Sequence, residues 1–125
     1  MKNSFAMEII WRLAVLEAAA AKQEFIEPEH YWAGLTKGRE FCKASALKVA
    51  KEQGLDTPAI VDELSMVPEI LEKAKIDPTA LRRHLRAMLG TGTHQHAKGA
   101  VIHRSAATRE MFIEADRIAT SLALP

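Results

Sequence analysis

An all-α fold, a compact bundle of about six helices, follows from three features of this sequence. Apolar residues recur at helical spacing almost throughout, and alternating runs of β-branched and aromatic residues are absent. Helix start and stop signals also punctuate the chain, from Ser4 through Asp77-Pro78 to Ser105.

Ser4 caps a first helix running to about Lys22. Phe5, Ile9, Leu13, Leu16 and Ala20 make one face of it, and Ile10, Trp11, Ala14 and Ala18 widen the stripe. Only Glu8, Arg12 and Glu17 give it a polar edge, so this helix belongs deep in the core. Pro28 sits where a second helix tolerates a missing N–H, and that short helix ends near Thr36 with Gly38 to close it. A third is expected from about Glu40 to Gln53, closed by Gly54. Thr57-Pro58 opens a fourth, with Ile60, Val61 and Leu64 on its apolar side, and Val67-Pro68 is expected to break it. Another turn or two through Ile70, Leu71 and Ala74 follows.

Asp77-Pro78 is the sharpest start signal, an N-cap aspartate followed by proline at the first helical position. The helix it opens carries Leu81, Leu85, Met88 and Leu89 inward and ends at Gly90. The polar, glycine-rich stretch to Gly99 reads as a flexible connector. Val101 and Ile102 are expected to pack back on the core. Ser105 then caps a last helix, whose apolar stripe runs from Thr108 through Met111, Phe112, Ala115, Ile118 and Ala119 to Leu122.

The 125 residues suit a single domain, and 48% hydrophobic with 26% charged residues is the composition of a folded chain. No apolar run approaches the ~20 residues that cross a bilayer. One cysteine, Cys42, excludes an internal disulfide framework and suits a reducing compartment, with the cytoplasm as default. A net charge of +1 gives no general attraction to nucleic acid or membrane. No Gly-x-x-x-x-Gly-Lys-Ser/Thr phosphate loop and no Gly-x-Ser-x-Gly elbow occurs, and no catalytic residue is assigned. His94-x-His96, with His84 and His103, lacks a thiolate or carboxylate at a standard metal spacing. It reads as part of a solvated linker, so no metal or other cofactor is expected. Arg82, Arg83 and Arg86 form a basic edge, read as a solvated helix face or a contact for an acidic partner. Of Tyr31 and Trp32, only one can point fully inward, and an exposed aromatic is a typical interface anchor.

A shift of 101 positions pairs Ser4 with Ser105, Ile10 with Met111, Trp11 with Phe112, Ala14 with Ala115 and Ala18 with Ala119. With Phe25-Ile26-Glu27-Pro28-Glu29-His30, Asp77-Pro78-x-x-Leu81-Arg82-x-x-Leu85 and Val101-Ile102-His103-Arg104-Ser105, the chain resembles the Clp N-terminal repeat domain. This is the domain of ClpA, ClpB and ClpC type AAA+ ATPases. Tyr31-Trp32-Ala33-Gly34-Leu35 stands where that family has a leucine-rich run, and the middle, about Arg39 to Lys75, is longer. The resemblance implies one domain over residues 1–125: a first repeat at 1–90, a linker at 91–100, and the start of a truncated second repeat at 101–125.

It also implies a function, binding of substrate or adaptor proteins for an ATP-driven unfoldase. ATP would then be bound only by AAA+ modules outside these residues. By the same resemblance Glu29, Ser4 and Ser105 match positions that line a pocket for a cationic or phosphorylated arginine group in some relatives. The plainer reading is that Glu29 favours the positive end of its helix, that the serines cap, and that His30 is a structural, hydrogen-bonded histidine. The alternatives are a freestanding helical accessory or oligomerisation protein, and the N-domain of a Clp ATPase associated with type VI secretion.

Overall fold

The computed structural model describes residues 4–38, 40, 48 and 51–122. Among these residues the fold is all-α, with five helices and one isolated parallel bridge between Ile26 and Arg104. The helices are α1 (Phe5–Ala20), α2 (Pro28–Thr36), α3 (Thr57–Lys73), α4 (Pro78–Leu89) and α5 (Ala106–Ser121). The helix expected from Glu40 to Gln53 lies largely outside the described residues, of which Lys48, Lys51 and Glu52 are helical. No described helix is long and apolar enough to cross a membrane.

Three caps form as the sequence implies: Ser4 Oγ accepts from the Met7 N–H at 3.1 Å, Asp77 Oδ1 from Thr79 and Ser105 Oγ from Thr108. The helix expected to open at Thr57-Pro58 is capped by Asp56, whose Oδ1 accepts from the Ala59 N–H. α2 packs against both α1 and α4. The core gathers Ile10, Leu13, Ile26, Tyr31, Leu64 and Ile102 around the buried alanines of α1.

α1 is rotated from the stripe its composition suggests. Leu16 is 62% exposed, whereas Glu17, read from sequence as polar edge, is 7% exposed. The carboxylate is buried because two cations meet it there. Arg86 Nε from α4 donates to Oε2 at 2.9 Å, and Lys37 Nζ, just beyond α2, lies 2.6 Å from Oε1. The Arg82–Arg86 edge is therefore solvated only in part: Arg83 and Arg86 are exposed, whereas Arg82 is buried, donating to Thr36 Oγ1 at 3.1 Å and to Glu40 Oε1 at 3.0 Å.

Pro68 does not break its helix; α3 runs through it. A proline in a helix interior leaves the carbonyl four residues back, that of Leu64, without its N–H donor. Gly38 packs against that carbonyl: a Cβ at Gly38 would stand 2.0 Å from the Leu64 oxygen. The glycine expected to close α2 thus serves a close backbone approach to α3, while Lys37 is the α2 C-cap.

Three further expectations change. Residues 90–96 do not hang as a free connector: Gly92 N–H donates to Ala21 O at 2.7 Å and His94 N–H to Lys22 O at 3.0 Å. The Gln23 amide adds bonds to the Leu89 and Gly90 carbonyls. Lys22 turns the chain with φ +53°, which aims these acceptors outward from the end of α1. Met88 and Val101, expected inward, are 63% and 71% exposed, although Ile102 is buried. Lastly, α5 buries only Thr108 among its residues, and Ile113, Ile118 and Leu122 stay exposed.

Two outcomes follow for stability. Gly38→Ala should lower unfolding free energy by about 2–3 kcal/mol, because backbone and not a flexible side chain opposes the added methyl; urea denaturation measures it. Burial alone would raise the Glu17 carboxyl, but the hydrogen bonds and charges of Arg86 and Lys37 outweigh it and hold the group at about 2, below its ordinary 4.5. A carboxyl depressed on folding contributes stability that is present above its unfolded value and is lost as pH falls from 4.5 toward 2. With screening at half-exposed Arg86, the loss is on the order of 2 kcal/mol between about pH 6 and about pH 2, and Glu17→Gln should remove that portion of the acid sensitivity.

Candidate protein-binding groove

The segment before α5 is fixed by the peptide of one residue. Ile26 N–H donates to His103 O at 2.9 Å, and Ile26 O accepts from Ser105 N–H at 3.0 Å. The same carbonyl accepts from Thr108 Oγ1 at 2.6 Å. Ser105 Oγ lies 3.0 Å from Thr108 Oγ1 and accepts from Thr108 N–H at 3.1 Å. Since the Thr108 proton is committed to Ile26, Ser105 is the donor of that hydroxyl pair, and each group finds a partner. The network is buried, with Thr108 0% exposed.

This stitch sets the first turns of α5 beside the N-terminal half of α1. An open groove of about 520 Å³ lies there, with Met7, Trp11, Tyr31 and Phe112 as its apolar lining. Glu8, Arg12 and Arg104 complete it. Tyr31 is 2% exposed and meets Phe112 edge-on, ring centroids 4.9 Å apart at 72°. Burial pushes the Tyr31 hydroxyl up to about 12, against the charge of Arg104, so it stays neutral. The Arg104 guanidinium sits 5.2 Å from the centre of the Phe112 ring, within cation–π range. Trp11 is 40% exposed. Trp11 and Phe112, paired by the 101-residue shift of the sequence, line one groove.

The residues singled out from sequence fall in different places. Tyr31 is in the groove, and Trp32, its neighbour, is 44% exposed. Ser4 caps α1 and donates to Glu63 Oε1 of α3 at 2.8 Å. Ser105 is buried within its capping network. Glu29 borders a cavity of about 20 Å³ together with Glu17, His30 and Arg86, space for one water-sized group. Ser4, Ser105 and Glu29 thus each have separate surroundings. His30 is structural: its Nδ1 accepts from the Glu27 N–H at 2.8 Å, reaching back to the helix start as in a capping box. That bond puts the neutral ring's proton on Nε2, which is buried and finds no hydrogen-bond partner among the described residues. Burial lowers the His30 pKa, opposed by Glu27, Glu17 and Glu29. The His94 and His96 rings lie with centroids 4.4 Å apart and planes tilted by 58°, and His96 Nε2 contacts Gln23 O at 2.8 Å. The described residues hold no group of three or more metal-ligating side chains.

Comparison with known protein families, curated proteins and solved structures returns no match to this chain.

The sequence pattern puts Trp11 on the flank of a core stripe, Arg12 on the polar edge of the first helix and Arg104 beside the Arg82–Arg86 basic edge, and it gives none of them a place in a shared groove. The repeat offset carried the missing signal, since it aligned Trp11 with Phe112 before any contact was known. Thr108→Val should cost about 1–2 kcal/mol, the shape being kept while the donor to Ile26 is lost. Hydrogen exchange at the Ser105 amide should quicken in that variant, which tests whether the network anchors α5.

Proposed function

We propose that this domain binds protein segments, from substrates or an adaptor, on behalf of a Clp-type ATP-dependent unfoldase whose AAA+ modules lie outside these residues. The observation that carries the reading is the groove, where Trp11, Met7 and Phe112 offer apolar surface over buried Tyr31. Large aromatic anchors at the centre of a concave surface are where protein interfaces concentrate their binding energy. The volume is that of a site for a few side chains. The resemblance to Clp N-terminal repeats supports the same reading, for cytoplasmic chaperones and for the type VI secretion branch alike. In this reading Tyr31 supports the aromatic surface from below. Trp32, Ser4, Glu29 and Ser105 contribute to the scaffold or to separate contacts.

A second reading has its own observation. The exposed Ile113, Ile118 and Leu122 along the far half of α5 suit a freestanding helical accessory protein that self-associates. Sedimentation equilibrium separates the two: a monomer across a wide concentration range removes the second reading.

For the first reading, Trp32→Phe leaves Trp11 as the sole indole reporter. A peptide library drawn from unfolded proteins should give saturable changes in Trp11 emission at about 1–100 µM. Trp11→Ala should weaken the same peptides about ten-fold or more, followed by calorimetry, while the fold remains intact. A folded domain that binds no peptide or candidate adaptor would refute the reading.

A further inference from the structure

We infer that the α1–α5 groove selects segments in which an aromatic or large apolar residue is followed by carboxylates. This rests on the proposed protein-binding role of the groove and adds the chemistry of what is bound.

The inference comes from the state of the arginines. Arg82, Arg86 and Arg117 each hold a glutamate, respectively Glu40, Glu17 and Glu114. Arg12 and Arg104 both border the groove, are exposed, and make no ion pair among the described residues. Arg104 lies over the Phe112 ring, which steadies a planar guanidinium while leaving its N–H edge free. A carboxylate accepts two parallel N–H bonds from such an edge, a pairing stronger than neutral hydrogen bonds. Arg12 follows Trp11 directly in sequence, so one stretch of α1 supplies both an indole and a cation.

Glu8 is the opposing charge. It stands four residues before Arg12 on α1, the spacing at which such a pair can form, yet no Glu8–Arg12 ion pair is present. Two guanidiniums against one carboxylate leave the rim with a net charge of +1. Glu8 also disfavours a uniformly acidic ligand, because a carboxylate seated beside it would be repelled. Apolar contact with acidic flanks is the combination the groove complements: the ring enters against Trp11 and Phe112, and the carboxylates meet Arg12 and Arg104.

Terminally blocked twelve-residue peptides provide the test, titrated against the whole domain carrying Trp32→Phe. One contains Phe-Glu-Glu in a Gly/Ser background, the second Phe-Gln-Gln and the third Gly-Glu-Glu. The Phe-Glu-Glu peptide should bind about ten-fold tighter than Phe-Gln-Gln at about 50 mM salt, with the advantage shrinking several-fold near 0.5 M. Arg12→Gln and Arg104→Gln should each remove part of that advantage, and the double variant nearly all, read as the ratio of Phe-Glu-Glu to Phe-Gln-Gln affinity within each variant. Gly-Glu-Glu should bind weakest, since it has no ring to seat. Equal affinity for Phe-Glu-Glu and Phe-Gln-Gln in the parent domain overturns the carboxylate preference and leaves the groove as a protein-binding site. Binding of none of the three, or binding that Trp11→Ala leaves intact, overturns the preference and removes the support of the groove for the proposed function.

Discussion

The backbone of Ile26 is the constraint on which the groove depends. Its side chain is wholly buried, and a peptide group at that depth needs partners for both its N–H and its C=O. The turn between α1 and α2 supplies none in helical register, so the chain brings residues 103–105 alongside to provide them. Once Ser105 is held against Ile26 O, its hydroxyl is placed to cap α5, and Thr108 reaches the same carbonyl one turn later. The start of α5 is therefore fixed in position and direction by a handful of hydrogen bonds. Packing adds the edge-on contact of Tyr31 with Phe112 and that of Met111 against the core. A helix attached this way needs no continuous apolar seam, and Ile113, Ile118 and Leu122 stay exposed.

Glu17 does for the other side of α1 what Ile26 does for α5. A carboxylate facing neighbouring helices would be costly alone, yet here it is the meeting point of α1, the end of α2 and α4 through Lys37 and Arg86. The arrangement fixes which face of α1 turns inward, and so directs Trp11 toward the groove side. Arg82 repeats the device one turn earlier on α4, tying it to Thr36 and Glu40. The polar residues of α4 thus take over part of the helix-fixing that Met88, which faces solvent, leaves undone.

What was legible in the sequence was what is settled within three or four residues. Ser4, Asp77 and Ser105 all cap, because a cap needs only its own side chain and the N–H groups just after it. The misread features have partners far along the chain. Glu17 and Arg86 are 69 residues apart, and Thr108 and Ile26 are 82 apart. Pro68 was read as a helix breaker because its cost is local, whereas the approach of Gly38 to the carbonyl it frees is not. The connector at 90–96 was read as free because glycine and polar side chains carry no packing signal, yet its backbone amides are what dock it. The site was half legible for the same reason. The division of Tyr31 and Trp32 between inside and outside follows from helix geometry, but the groove itself requires two helices that only long-range backbone pairing unites.

The repeat sharpens this point, because it sets one local pattern in two surroundings. Ala14 and Ala18 of α1 are 0% exposed, since α2 lies against them. At the matching positions of α5, Ala115 is exposed and Ala119 half-buried. The same capped pattern with the same paired alanines is thus a core element in α1 and a more exposed one in α5. Burial belongs to the partner and not to the pattern. The aromatic pair behaves differently: Trp11 and Phe112, matched by the same 101-residue shift, line one groove despite the contrast in burial behind them. Each stands in the first half of its helix, and the Ile26 stitch holds the start of α5 beside α1. The groove is built where that backbone pairing brings the two helix starts together.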